Sequence, residues 1–301
     1  MITGALPFRF RRPRVALIGS GDIGARVMRS FRCSQARGPE LLAVSRRQGW
    51  DLDQADIRKR LARWATHSIV LVPPSEQGTT DLRSRRLVAA WRAARSSIGA
   101  KAMTTSTFKR QRGVYISTTG VYGDHQGAVV VETSSCLTTQ PRSLRRLDAE
   151  RQWRALGFHV LRVPGISGPE RLPIDRLRAG MPALQPADDV YTNHIDADDL
   201  AQICWRALWR GRPGRITNAV MPDHLKMGDY FEQVARHVGL PVPRRISRSE
   251  LHDWVKQGRV SPMMMSFMQD SRQVCSQRLE AELGVRLKRP SVAAILADYR
   301  A

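Results

Sequence analysis

The chain has 301 residues, 42% hydrophobic and 25% charged, the proportions of a globular protein with room for one large or two modest domains. No apolar run approaches the roughly 20 residues that a bilayer-spanning helix needs, and residues 1–14 hold four arginines without an apolar stretch of signal-peptide length, so a cytoplasmic protein with no membrane partner is expected. Lys+Arg is 49 against 27 Asp+Glu, a net charge of +22; only six of the cations are lysine and the arginines run along the whole chain without interleaved aromatics, which points to small anionic substrates rather than to a specific nucleic acid.

Four cysteines, Cys33, Cys136, Cys204 and Cys275, lie far apart with no Cys-x-x-Cys spacing, so neither a disulfide framework nor a zinc site is expected. No His/Asp/Glu spacing suggests another metal.

Along the chain, a basic tail (1–13) precedes alternating elements. Strands are predicted at 14–19, 41–45, 68–73, 113–117 and 158–163, with helices at 25–32, 52–65, 81–97 and 142–156. Short apolar strands separated by amphipathic helices imply an α/β fold, a Rossmann-type doubly wound parallel sheet. The rest is helix-rich (196–210, 226–238, 247–256, 291–299) and implies a small, mostly helical C-terminal substrate lobe. The domain reading is a dinucleotide-binding domain over 14–165 and a substrate lobe over 166–301, with a returning segment at about 190–218 that completes the first. The Met263-Met-Met265 run after Pro262 reads as a buried segment, with an adaptable apolar surface as the alternative.

The first strand runs into Gly19-Ser20-Gly21-Asp22-Ile23-Gly24 and then a helix. This Gly-x-Gly-x-x-Gly order suits a dinucleotide pyrophosphate: Gly19 for the tight turn, Gly21 for close approach of the phosphates, Gly24 for helix–strand packing. The following helix N-terminus offers free N–H groups to the anion. The alternative is a glycine turn that only joins strand to helix. Arg46 and Arg47 end the second strand, where an NAD-preferring protein presents an acid to the ribose, so NADP is favoured over NAD. Two solvated surface charges are the competing reading. Pro73 marks a further strand end on the ligand side of the sheet.

At Tyr115-Ile-Ser117-Thr118-Thr119-Gly-Val-Tyr122-Gly123 the chain resembles the extended short-chain dehydrogenase/reductase superfamily, the NAD-dependent nucleotide-sugar epimerases and dehydratases. Asp51-Leu52 is similar to that family's pair beside the adenine. The segment from Leu161 to Pro169, with Arg171 after it, and the element from His194 through Asp198-Asp199 to Ala201 are similar to its later motifs. The resemblance covers most of 14–218 and implies a nicotinamide cofactor, Thr118 as the group that orients a substrate carbonyl, substrate contacts from Arg171 and His194, and a frequent homodimer.

Two departures stand out. The family's glycines are usually spaced Gly-x-x-Gly-x-x-Gly, and here Ile18 holds the first position. The catalytic Tyr-x-x-x-Lys is not found: registering the helix on Glu150 puts Arg142 and Arg146 at the two positions. Arginine stays protonated and cannot replace a phenol as acid/base, so the pair reads either as a clamp on a ligand phosphate or carboxylate or as a solvated basic face. Tyr122, Asp124 and His125, or His194 with Asp196, are alternative groups for proton transfer, with a structural hydrogen-bonding role as the competing reading of His194. The chain thus resembles the atypical extended members described as nucleoside-diphosphate-sugar epimerases. Two functions are expected: an NAD(P)-dependent oxidoreductase or epimerase on a nucleotide-linked or anionic carbonyl substrate, or a non-catalytic dinucleotide-binding regulatory protein.

Overall fold

The computed structural model describes residues 12–32, 38–99, 112–260, 265 and 268–299. Met263 and Met264, and most of the basic tail, lie outside the described residues. The first strand, β1 (Arg14–Ile18), is apolar and buried, and it pairs in parallel with β2 (Glu40–Val44) on one side and β3 (His67–Val70) on the other. The sheet continues through β4 (Arg112–Thr118), β6 (His159–Val163) and β11 (Ile216–Asn218), in the order β11-β6-β4-β3-β1-β2. This six-stranded parallel sheet is the Rossmann-type arrangement that the alternating pattern implies.

Helices α1 (Asp22–Arg32), α2 (Ala55–Trp64), α3 (Leu82–Gly99), α4 (Pro141–Ala155) and α6 (Ala197–Arg210) fill the connections. β3 ends three residues before its expected boundary: Leu71 and Val72 both donate to the Ile18 carbonyl, and Pro73 has no N–H to continue a ladder. The remaining elements are the helices α5 (Ile174–Arg178), α7 (Met227–His237) and α8 (Arg248–Lys256), two short C-terminal helices (Leu279–Leu283 and Val292–Ala297), and paired strands of two or three residues. Among these strands are β5 (Val129–Val130), which pairs with β14 (Gln273–Val274), and β7 (Gly165–Ser167), which pairs with β10 (His194–Asp196).

The chain divides into two compact units. The first is Met1–Ile116, Arg145–Val160 and Ala201–Arg215; the second is Ser117–Leu144, Leu161–Leu200 and Ile216–Ala301. An aromatic cluster holds the first unit together. Trp153 stands edge-on to Trp91 (6.3 Å), stacks on Tyr115 (6.1 Å) and meets Phe158 (4.6 Å). All four are fully or almost fully buried, and each buried tryptophan removes about 200 Å² from water, worth about 5 kcal/mol. Gly113 is required beside them, because a Cβ there would sit 2.1 Å from the Phe158 ring. The second unit has separate clusters, one of Tyr122, Val130, Val220 and Val274, another of Leu184, Ile246, Leu251, Val260 and Met268.

Candidate dinucleotide cradle and hydroxyl site

In the first unit the glycine turn leaves β1 and opens α1, and its three glycines have different physical reasons. Gly19 lies at φ +105°, where a side chain is strained, and a Cβ would press on the backbone of Leu71 and Val72 at 3.0–3.2 Å. A Cβ on Gly24 would be 2.5 Å from the Gly19 carbonyl oxygen. A Cβ on Gly21 would meet nothing within 4 Å. The fold itself therefore demands Gly19 and Gly24, whereas the bare backbone at Gly21 faces open space.

Ser20, Asp22 and Ile23 complete the turn. The Ser20 hydroxyl donates to Gln48 Oε1 at 3.4 Å, and Ser45 donates to the same oxygen at 3.0 Å, so the turn is joined to the one-turn 3-10 helix Arg46–Gln48 that follows β2. Asp22 sits in the first turn of α1 and pairs with Arg26 at 3.1 Å. Arg46 donates to Asp53 at 3.0 Å and lies 4.0 Å from Asp51. Arg47 is exposed and has no hydrogen bond or ion pair with a side chain among the described residues. Asp51 accepts the Asp53 N–H at 3.0 Å, the Leu52 carbonyl accepts from Arg58, and the Pro73 carbonyl accepts from Arg83. The structure thus brings the glycine turn and Arg46–Gln48 together, with one arginine neutralised and its neighbour free.

Arg146 has an internal role. Its guanidinium donates to the Ile116 carbonyl at 2.8 Å and to the Tyr115 hydroxyl at 3.3 Å, pinning the carboxyl end of β4. Burial pushes the Tyr115 phenol up to about 12, against the lowering effect of Arg146. Arg142, one turn earlier on α4, is exposed. These two arginines have different environments, which argues against a matched clamp.

In the second unit, Thr118 ends β4 and caps the one-turn helix Thr119–Tyr122, its hydroxyl oxygen accepting from the Gly120 N–H at 3.2 Å. The hydroxyl is half-buried, and its own proton has no acceptor among the described residues. Tyr122 is fully buried: its hydroxyl donates to Asn218 Oδ1 at 2.8 Å, the Arg162 guanidinium lies 4.8 Å over its ring, and burial raises its phenol. Asp124 Oδ1 accepts the Gln126 and Ser271 N–H groups, and His125 reaches the Ser135 carbonyl at 3.2 Å. All three are committed to the local fold, which argues against proton transfer by any of them.

His194 lies against Tyr230, with ring centroids 4.4 Å apart, and its Nε2 is 3.4 Å from the Thr192 hydroxyl. Burial lowers its imidazole to about 4, which keeps it neutral near pH 7. Arg171 ends the one-turn helix Pro169–Arg171 and is exposed. Asp199, buried, accepts the backbone N–H groups of Lys288 and Arg289, so this part of the Asp198-Asp199 element serves the fold.

The sequence reading misses Glu132. It is 4% exposed and accepts from Asn218 N, Ser276 Oγ and Gln277 N at 2.7–3.2 Å. A lone acid after the apolar run at 128–131 is its only local signal. Among the described residues no helix is long and apolar enough to cross a membrane, and no group of three or more His, Cys, Asp or Glu could hold a metal ion.

No family model matches the chain. Protein YeeZ of Escherichia coli K12 is 31% identical over 135 residues, 44% of this chain and 48% of that protein, so the chain spans about half the length of the curated relatives it matches. A functionally unknown conserved protein from Silicibacter pomeroyi is 26% identical, with a TM-score of 0.71 over 96% of this chain and 100% of that one. RMD from Pseudomonas aeruginosa, solved with NADPH, has a TM-score of 0.67 at 18% identity, over 96% of this chain and 100% of that one. Other solved structures of this fold include a human epimerase family protein with NADPH, a dTDP-glucose 4,6-dehydratase from Streptomyces venezuelae with NAD, and a nucleoside-diphosphate-sugar epimerase from Pseudomonas aeruginosa. These likenesses are of fold, the Rossmann-type α/β arrangement.

Proposed function

We propose that this chain is a dinucleotide-binding oxidoreductase or epimerase that prefers NADP to NAD and acts on a nucleotide-linked or otherwise anionic carbonyl compound. The observation that carries the reading is Gly21. Packing explains Gly19 and Gly24 but not Gly21, whose open approach fits the demand of a pyrophosphate for bare backbone at a helix N-terminus. Gly19, Ser20, Gly21, Asp22, Ile23 and Gly24 would hold the pyrophosphate, Asp51 and Leu52 would flank the adenine, Pro73 would line the crevice, and Arg47, with Arg46 beside it, would take the ribose phosphate. A bound nicotinamide supplies or accepts hydride. Thr118, with an unused hydroxyl proton, would orient the substrate carbonyl, and Arg142, Arg171 and His194 are the candidate substrate contacts.

A second reading, a dinucleotide-binding regulatory protein without turnover, is favoured by α4: its sequence contains neither tyrosine nor lysine, and Arg146 is spent on β4. Titration of the chain and its Gly21→Ala variant with NADPH and NADH tests the shared core. The methyl meets no protein atom, so melting is expected to stay put while NADPH affinity falls at least about 10-fold. Equal affinity in the variant, or no binding by the parent, overturns it. Nicotinamide absorbance with nucleotide-sugars and aldehydes then separates the readings: turnover lost in Thr118→Ala supports the enzyme, and binding without turnover the regulator.

A further inference from the structure

The arginine surplus is not spread evenly. The first unit contains 31 of the 49 Lys+Arg and 9 of the 27 Asp+Glu, a net of +22; the second contains 18 of each, a net of zero. A chain-wide arginine bias would load both units, so the imbalance belongs to the first.

Within that unit the charge has an address. Helix α3 packs between α2 and α4: it contacts α2, it meets α4 through Trp91 on Trp153 and the Trp153 Nε1–H to Ser84 Oγ hydrogen bond, and its Arg95 donates to the Leu156 carbonyl just after α4. α3 has five arginines and no acid. On α2 the acid is Asp56, already beside Lys59 at 3.4 Å; on α4 Glu150 is buried and Asp148 accepts the Asp81 N–H and the Gln152 side chain. Arg63 on α2, Arg85, Arg86 and Arg92 on α3, and Arg151 on α4 are exposed and have no side-chain partner among the described residues.

We propose that the solvent face of the α2–α3–α4 layer is a binding surface for the phosphate backbone of a nucleic-acid duplex, without base readout. Small-anion steering does not need it: Arg92 lies about 10 Å along α3 from Arg85, beyond the Debye length of about 8 Å at physiological salt. Arginine pairs bidentately with phosphate oxygens. Among the described residues the face has no exposed aromatic on which unpaired bases could stack, and Leu82 is the one exposed large apolar residue on it, which is poor equipment for a lipid surface.

Fluorescence anisotropy of a labelled DNA duplex of arbitrary sequence, titrated with the full chain between about 50 and 200 mM salt, tests the proposal. Replacing Arg85, Arg86 and Arg92 by Ala together should weaken binding at low salt at least about 10-fold. It should also reduce the magnitude of the slope of log K against log salt by about 2 to 3. The corresponding Lys triple variant should restore the slope, and melting of all three proteins should coincide. An unbound duplex, an unchanged slope in the Ala variant, or capture by phosphatidylserine vesicles but not by duplex each overturns it.

Discussion

The two units handle charge in opposite ways. In the second, cations and carboxylates converge on hubs: Arg245 reaches Asp189, Asp229 and Glu232 at 2.8–3.3 Å, and Arg289 reaches Asp196, Asp198 and Asp298 at 2.7–3.5 Å. Asp189 and Asp196 are almost fully buried, so these ions serve packing. In the first, the exposed arginines of α2 and α3 face water without counter-charges among the described residues, and the Trp91–Trp153–Tyr115–Phe158 cluster supplies the packing. The same residue type is thus structural in one unit and available to ligands in the other.

The largest expected effect tests the structural half of that contrast. Glu132→Ala removes the acceptor of three donors at once, two of them the backbone N–H groups of Asn218 and Gln277. An unsatisfied buried donor costs about 1–3 kcal/mol, so urea unfolding should show a loss of about 3–5 kcal/mol. A loss below about 1 kcal/mol would mean that the hub is replaceable by water and that buried charge is not what organises this unit.

His194 sharpens the comparison, since it is kept in the second unit by being neutral rather than paired. Its imidazole is lowered to about 4 by burial, against about 6.5 in the unfolded chain. Above pH 6.5 neither state is protonated and the group contributes nothing. As pH falls from 6.5 towards 4, the unfolded chain takes a proton that the folded one refuses, so stability drops, by about 2 kcal/mol at pH 4.5. Unfolding at pH 7 and 4.5 should show this drop in the parent and a smaller one in His194→Gln. Equal drops would place the acid sensitivity elsewhere.

This division was only partly legible in the sequence. β1 to β4 and β6 announce themselves because runs such as Val15–Ile18 are apolar, bounded by turns and followed by amphipathic helices, and that local pattern survives folding. β5 and β14 do not, because two residues carry no period and their pairing joins Val129 to Gln273 across the chain. The glycine turn was legible, but which glycine serves a ligand was not: that needs the neighbours of each missing Cβ, such as the Gly19 carbonyl above Gly24. The Glu132 hub was invisible because its partners lie 86 to 145 residues away. Sequence spacing sets Arg142 and Arg146 on one helix face, whereas in the fold Arg146 is turned to the end of β4.

The smallest effect on stability separates two adjacent residues of the first unit. Arg46 is tied to Asp53, an exposed pair worth about 0.2–1 kcal/mol, whereas Arg47 has no side-chain partner among the described residues and its removal leaves folding unchanged. The ligand effect should run the other way. A guanidinium already facing a carboxylate has less to offer a ribose phosphate than a free one, so Arg47→Ala should weaken NADPH about 10-fold, about 1.4 kcal/mol, and leave NADH untouched. Arg46→Ala should change NADPH less, because the charge that it removes is already paired with Asp53. Calorimetric titration of both variants with both dinucleotides decides it: if NADH affinity falls in parallel with NADPH, Arg47 is not reading the phosphate, and the unpaired arginines at this edge of the cradle carry no cofactor preference.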